Sequence, residues 1–301
     1  MQATENVTLK PSRQKEIWQD RVFNAVIAIL VALVLLMTLY PLYLVLICSV
    51  SDATLVTTGR VTLYPKGFTL TGYNAVFQNK EIWRSYMNSI IYTVTGTVLS
   101  LMVTMGAAFT LSRKFPGKRL ISFLFAFTMF FNGGMIPTYL VIRDLGLLDS
   151  RVAVLLPGLV SVFNFINMRT HFESLPAELE ESAKLDGANH WTIFTRVILP
   201  ISGATMAVMV LFYGVTHWNS WFLEMLYLPN SRDLWPLALI TREIILSSSN
   251  AAMSDGAVMT QEMADAIKYA TIIVTTLPIL CLYPFLQKYF AKGVTVGAVK
   301  G

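Results

Sequence analysis

The chain alternates between long uncharged stretches and shorter segments that carry its ionisable residues. Six stretches contain no Asp, Glu, Lys or Arg, and they lie at 22–50, 85–112, 120–142, 152–168, 201–223 and 269–287. A bilayer core about 30 Å thick requires roughly 20 apolar residues of helix. Backbone groups in lipid must satisfy their own hydrogen bonds, and these stretches lack the period-two alternation of barrel strands. The pattern therefore predicts six transmembrane helices.

The composition agrees with this pattern, because 54% of the residues are hydrophobic and only 14% are charged. Charged residues make up about 25% of an ordinary soluble domain. The first stretch is longer than the roughly 7 to 15 apolar residues of a cleavable signal peptide, so we expect it to remain in the membrane. We predict an all-α membrane protein with a lead at 1–21, a six-span domain at 22–290 and a tail at 291–301.

The distribution of positive charge predicts the orientation of the chain. Six spans place both termini on one side, and that side carries fourteen of the 23 Lys and Arg residues. Its most basic short loop is "RKFPGKR" at 113–119. Short loops rich in Lys and Arg remain in the cytoplasm, so we expect cytoplasmic termini. The net charge of +5 then follows from residues next to the membrane and requires no nucleic-acid partner.

The segment between the fourth and fifth stretches contains the island "EESAKLDGANHWTIFTRVILP". Ser174 is a candidate cap for a first helix, which the turn at Asp186 and Gly187 ends. Asn189 is a candidate cap for a second helix, which ends before Pro200. The second helix has an apolar face that water does not favour, so the bundle or another protein must cover it. The island is predicted to form a two-helix elbow.

The island resembles the cytoplasmic signature loop of the membrane subunits of ATP-binding-cassette (ABC) importers. That loop reads Glu-Ala-Ala, three residues, Gly, nine residues, Ile, one residue and Leu-Pro. The matching positions here are Glu181, Ser182, Ala183, Gly187, Val197, Leu199 and Pro200, with Ser182 and Val197 departing from the pattern. Together with "NGGMIPTYLVIRDLGLLDS", "WNSWF" and "QKYFAKGVTVGAVKG", the chain from about residue 85 onwards resembles carbohydrate-importer permeases of the maltose and lipo-oligosaccharide type, including those of alginate import.

The resemblance implies the type I ABC importer permease fold, in which the loop at 169–200 is a coupling helix that docks on an ATPase subunit. The candidate coupling residues are Glu181, Ser182, Ala183, Asp186, Gly187, Ala188, Trp191, Phe194 and Pro200. The implied partners are a second homologous permease in a heterodimer, two ATPase subunits and a solute-binding protein. The implied cargo is an oligosaccharide, neutral or acidic as alginate is, carried across the inner (plasma) membrane by alternating access. In some relatives the C-terminal tail, here about 291–301, also reaches the ATPase, and the alternative for this chain is a disordered end.

The chain carries no recognisable catalytic motif. It lacks a G-x-x-x-x-G-K-[ST] phosphate loop, an H-E-x-x-H pair and a G-x-S-x-G elbow. Cys48 and Cys281 lie in apolar stretches and are expected to serve packing. We expect a catalytically silent subunit without a metal or cofactor of its own, and we expect ATP and Mg²⁺ to bind in the partner ATPases.

Polar and aromatic residues within the predicted spans are candidates for a substrate path, because such residues are costly in lipid. The candidates are Asn132, Asn164, Asn167, Asn219, Trp218 and Trp221, with His217 and Ser220 nearby. The competing interpretation is structural, since Asn, Ser and His also join helices by hydrogen bonds and Trp favours membrane interfaces.

Two alternatives to a sugar importer remain at this point. A secondary active transporter is expected to carry ionisable groups within its spans, and only His217 titrates near neutral pH there. An ABC permease for another solute also fits, because uncharged spans do not identify a cargo.

Helix breakers at Pro41, at Gly133-Gly134 and at Pro278 and Pro284 are expected to bend or interrupt spans one, three and six. The first part of 224–268 is expected to lie on or dip into the bundle.

Overall fold

The computed structural model describes residues 18–251 and 264–281, and all regular secondary structure in those ranges is helical. Most of the N-terminal lead, the end of the sixth apolar stretch and the tail at 291–301 lie outside the described residues. The helices are α1 Trp18–Ser49, α2 Ala53–Thr57, α3 Thr71–Gln78, α4 Lys80–Ser112, α5 Lys118–Phe130, α6 Met135–Asp144, α7 Arg151–Leu155, α8 Val162–Glu173, α9 Ala177–Leu185, α10 His190–Thr192, α11 Leu199–Ile201, α12 Gly203–Asn219, α13 Phe222–Tyr227, α14 Leu237–Ala251 and α15 Ala264–Cys281.

Helices occupy all six apolar stretches as far as the structure describes them. Three of them, α1, α4 and α15, are long and apolar enough to cross a membrane alone. Three bent pairs raise the number to six if each pair is one span: α5 with α6 at 112°, α7 with α8 at 50°, and the helix at 190–201 with α12 at 84°. The expected all-α membrane fold is confirmed.

The predicted breakers act differently from one another. The third stretch breaks at Gly133-Gly134, where Gly134 has a φ of +89° that favours glycine. Pro41, in contrast, lies inside α1, which continues through it without interruption. Membrane helices tolerate such a proline because neighbouring groups can satisfy the freed backbone carbonyl. Pro278 lies within α15, and Pro284 is outside the described residues.

The helix α4 forms the centre of the bundle and packs mainly against α8 and α12. Its buried face consists largely of small and polar residues that recur every four or seven positions: Ser85, Ser89, Gly96, Ser100, Thr104 and Ala108. Small residues allow helices to approach closely in a membrane. The hydroxyls of Thr104 and Tyr213 bond at 2.7 Å and join α4 to α12.

The largest apolar cluster lies where α4 ends. It joins α4 to α8, to α12 and to the second half of the elbow, through Ala108, Phe109, Leu111, Phe165, Met168, Phe172, Ile193, Phe194, Ile198 and Met209. The ring centroids of Phe109 and Phe194 lie 4.9 Å apart. The elbow is therefore part of the folded core and not a solvated connector.

The segment that follows α12 packs on the opposite end of α4. The amide of Asn88 donates to the carbonyl of Asp233 at 2.7 Å, and the hydroxyl of Tyr92 donates to that of Leu234 at 2.8 Å. The backbone amide of Leu237 donates to Ser89 at 2.8 Å. These bonds hold the first part of 224–268 on the bundle, as the sequence predicted. The α12 helix ends at Asn219, four residues before the end of the fifth apolar stretch.

Candidate functional site

The first half of the elbow is α9, and its end has a specific geometry. The amide of Ala188 donates to Ala183 at 2.9 Å, and the amide of Gly187 donates to Lys184 at 3.0 Å. These two bonds form a Schellman motif, which requires a left-handed residue after the helix. Gly187 supplies it with a φ of +78°. The turn predicted at Asp186 and Gly187 is confirmed.

The start of α9 differs from the prediction. The hydroxyl of Ser174 donates back to the carbonyl of His171 at 2.8 Å, so Ser174 closes α8 and caps nothing in α9. The residue before α9 is Pro176, and no side chain caps the helix. The prediction was wrong because α8 and α9 are only three residues apart, and one hydroxyl serves a single helix end.

A buried carboxylate anchors α9 to the end of α4. Glu180 is only 8% exposed and accepts from Arg113 at 2.7 Å and from Lys184 at 2.9 Å. The Arg113 guanidinium also stacks over the ring of Phe109 at 4.7 Å. The sequence analysis missed this anchor, because only the spacing of Glu180 and Lys184 is visible locally, whereas Arg113 is distant in sequence.

The second half of the elbow begins at Asn189, whose side chain accepts from the amide of Thr192 at 2.8 Å as predicted. It continues as a π-helix over Ile193–Ile198 and then through Pro200 as α11. The predicted end before Pro200 is wrong, because the proline lies in the first turn of α11, where a missing amide costs little. Phe194 is buried in the apolar cluster, whereas Trp191 is 71% exposed. The two aromatic residues therefore have different positions: Phe194 packs the elbow against the bundle, and Trp191 faces outwards.

The remaining candidate coupling residues form the outer surface of the elbow. Glu181, Ser182, Asp186, Gly187 and Pro200 are exposed, while Ala183 and Ala188 are half-buried against the apolar cluster. Two large apolar side chains of the elbow are exposed as well: Leu185 at 89% and Trp191. An exposed mixture of large apolar and acidic side chains on an anchored element is typical of a protein contact.

The structure divides the candidate path residues among four places. Asn132 is exposed in the link between α5 and α6, where its side chain accepts from Gly134 at 2.9 Å. Asn164 lines a cavity of about 600 Å³ between α8 and α12, together with His217 and Ser220. Asn167 is half-buried on α8. The residues Trp218, Asn219 and Trp221 line a second cavity of about 380 Å³ beside α14 and α15.

The larger cavity contains a carboxylate that the sequence analysis did not single out. Glu224, in α13, is only 4% exposed, and its Oε2 atom lacks a hydrogen-bond partner among the described residues. Burial raises the pKa of Glu224, while the nearby Ser220 hydroxyl lowers it. Glu224 immediately follows the fifth uncharged stretch, and nothing in the local sequence indicates that α13 turns it inwards.

The smaller cavity lies where the segment after α12 meets the bundle. Trp218 donates from its indole nitrogen to the carbonyl of Thr275 at 3.2 Å, which joins α12 to α15. Arg242, in α14, stacks on Trp221 with 4.2 Å between its Cζ atom and the ring centroid. Polar groups and tryptophans around a cavity of this size are typical of a small-ligand site.

Apolar helices, an anchored elbow with an exposed outer surface and cavities lined by polar residues together define a membrane protein of the permease class. No family model matches the chain. It is 38% identical over 286 residues to the polygalacturonan/rhamnogalacturonan transport system permease protein YtcP of Bacillus subtilis, which covers 94% of this chain and 100% of that protein. It is 44% identical over 241 residues to protein LplC of the same organism, covering 79% of this chain and 81% of the relative.

A solved structure agrees with these relatives. A chain of a bacterial ABC transporter that imports the acidic polysaccharide alginate superimposes with a TM-score of 0.86 at 36% identity, covering 92% of this chain and 99% of that chain. The protein belongs to the sugar ABC transporter permeases. This membership confirms the resemblance of the signature loop and removes the secondary-transporter alternative.

Proposed function

We propose that this permease carries an oligosaccharide, and specifically an acidic one, across the inner membrane in an ATP-driven complex. The relatives support this cargo, because YtcP is named for polygalacturonan and rhamnogalacturonan and the structural neighbour imports alginate. All three polymers contain carboxylated sugar units. The cargo arrives from a solute-binding protein, and the termini of this chain lie in the cytoplasm.

The complex contains a second homologous permease and two ATPase subunits. The sequence has no phosphate loop, so ATP and Mg²⁺ bind in the ATPases and this subunit is catalytically silent. Large apolar side chains along α1, including Leu36 at 71% exposure, remain uncovered in the single chain. Lipid and the second permease cover them in the complex.

The elbow couples the ATPase to the spans. The observation that carries this proposal is the division of the elbow into an inner and an outer face: Glu180 and Phe194 lock it to α4, while Glu181, Gly187 and Trp191 face outwards. An anchored element transmits a displacement of its partner to the helices behind it. The path residues Asn164, Trp218, Asn219 and Trp221 line two cavities. In the proposed transport cycle, the substrate path that they line becomes accessible first from one side of the membrane and then from the other.

Substitutions on the outer face test this function. We expect Gly187→Pro and Glu181→Lys to reduce cargo-stimulated ATP hydrolysis and uptake about tenfold or more in the reconstituted complex. Proline removes the Gly187 amide and cannot adopt its positive φ, and lysine reverses the charge of the docking surface. The measurement compares ATPase activity and uptake with and without loaded binding protein.

A charge reversal elsewhere provides the control. Asp144→Lys changes an exposed carboxylate at the end of α6 and should leave both activities unchanged. Each variant must also be shown to assemble with its partners. Wild-type activity in both elbow variants would rule out coupling through this surface.

A further inference from the structure

Two arginines of the segment after α12 stack on tryptophans, but their surroundings differ. Arg232 lies over Trp235 with 4.8 Å between Cζ and the ring centroid, and Arg242 lies over Trp221 at 4.2 Å. Arginine stacks on aromatic faces and keeps the N–H donors at its edge available. Whether the N–H donors of each arginine already bond to protein groups therefore distinguishes a structural arginine from one that is available to a ligand.

The N–H donors of Arg232 bond to carboxylates of the protein. It bonds to Glu81 at the start of α4 and to both oxygens of Glu243 on α14, at 2.8 and 2.6 Å for Glu243. The indole of Trp235 donates to Leu228 at 3.0 Å. This pair holds the segment to α4 and has a structural role.

No carboxylate of the described residues pairs with Arg242. Among residues 18–251 and 264–281, its guanidinium has no ion pair and no hydrogen bond, and its contact is the ring of Trp221. The closest acidic neighbour in sequence, Glu243, is already engaged by Arg232. Arg242 is half-buried. Its N–H donors therefore remain available to an anion that enters beside Trp221.

The cavity beside Arg242 has mostly apolar walls with several polar groups among them, which is the usual composition of a small-ligand site. Its volume of about 380 Å³ falls within the usual range for small-ligand pockets. Besides Arg242, its walls include two tryptophans and the side chains of Asn219, Thr241 and Thr275. The Asn219 amide nitrogen donates to Val215 at 2.9 Å, which leaves its oxygen to accept from a hydroxyl.

We propose that Arg242, held on Trp221, binds the carboxylate of an acidic sugar unit in this cavity and makes the permease selective for anionic cargo. The inference rests on the proposed function, because the sugar reaches the cavity only along the substrate path. A guanidinium binds a carboxylate through two parallel N–H bonds, a geometry that a neutral hydroxymethyl group cannot reproduce. Aromatic walls and hydroxyl partners then contact the ring of the sugar.

Direct binding to the purified complex in nanodiscs, without binding protein, tests the proposal. The probes are trigalacturonate and its carboxyl-reduced counterpart, which differ only in their acidic groups, and the readout is tryptophan fluorescence. We expect Arg242→Gln to weaken trigalacturonate binding about 10- to 100-fold, the loss of a charge-assisted hydrogen-bond pair, with the neutral trisaccharide unaffected. Arg242→Lys keeps the charge but loses the paired bonds, and should fall between wild type and Arg242→Gln.

Arg84→Gln is the matched control, because Arg84 is an exposed arginine near the start of α4 without an ion pair among the described residues. It should bind both probes as wild type does. Equal loss of both probes in Arg242→Gln, or no loss of either, would overturn the inference. Uptake by the wild-type complex is measured separately: a complex that binds trigalacturonate through Arg242 but imports no sugar contradicts the proposed function alone.

Discussion

At the scale of single residues, one absent side chain sets how closely α4 and α12 approach. A Cβ atom on Gly96 would lie 2.7 Å from Nε2 of His217, whereas one on Gly106 would meet nothing within 4 Å. We expect Gly96→Ala to destabilise the permease by about 1–3 kcal/mol, because the His217 ring must move in a packed core. Gly106→Ala, in the same helix, should be neutral or stabilise it by about 0.5–1 kcal/mol. Thermal unfolding of the purified protein measures both, and equal midpoints would contradict this packing.

Residue-scale reading of the sequence succeeded where the decisive interaction is local. Gly187 and Asn189 could be assigned because a left-handed turn and a helix cap depend on neighbours within a few positions. Glu180, Glu224 and Arg242 could not be assigned, because burial and partners from distant helices decide their roles. The signature pattern located the elbow, but its anchored face could be distinguished from the outer face that we propose to dock only through Arg113 and Phe109.

At the scale of elements, the apolar stretches predicted where helices form but not how they bend. Glycines at 133 and 134 signalled the break between α5 and α6, since such residues favour interruptions. The 84° bend before α12 lies between Pro200 and Gly203, and the sequence analysis placed the helix end before that proline rather than after it. There the amide of Ser202 reaches both Ile198 and Leu199, and the preceding turns form a π-helix. At Pro41 the sequence contains a helix breaker, but α1 continues through it, because a membrane helix tolerates a proline without a break.

The attachment of α9 to α4 makes an element-scale prediction. Glu180→Gln removes the charge that pairs with Arg113 and Lys184, and we expect it to loosen the elbow by about 1–3 kcal/mol, because Arg113 is left partly buried without its partner. Hydrogen exchange of the α9 amides should rise correspondingly. Glu181→Gln, one position further along and exposed, should leave the exchange unchanged. Unaltered protection in Glu180→Gln would show that Phe194 and its neighbours hold the elbow alone.

At the scale of the whole molecule, ion pairs gather at the two ends of α4 and are separated by its uncharged length. One end carries Arg113 with Glu180, and the other carries Glu81 with Arg232. A helix of 33 residues spans about 50 Å, which exceeds a bilayer with its head groups. The elbow and the proposed sugar site at Arg242 therefore lie near opposite ends of α4, which is the arrangement that the proposed coupling of hydrolysis on one side of the membrane to sugar capture on the other requires.

The orientation of this arrangement is the final prediction, and single cysteines at the two ends test it. In a background of Cys48→Ala and Cys281→Ala, we expect Thr58→Cys to react with a membrane-impermeant maleimide in intact cells. Lys114→Cys, in the basic loop, should react only after the membrane is permeabilised. Both positions are exposed, so access to the reagent depends on the side of the membrane. Labelling of Lys114→Cys but not Thr58→Cys in intact cells would place the elbow outside, where it could not meet a cytoplasmic ATPase.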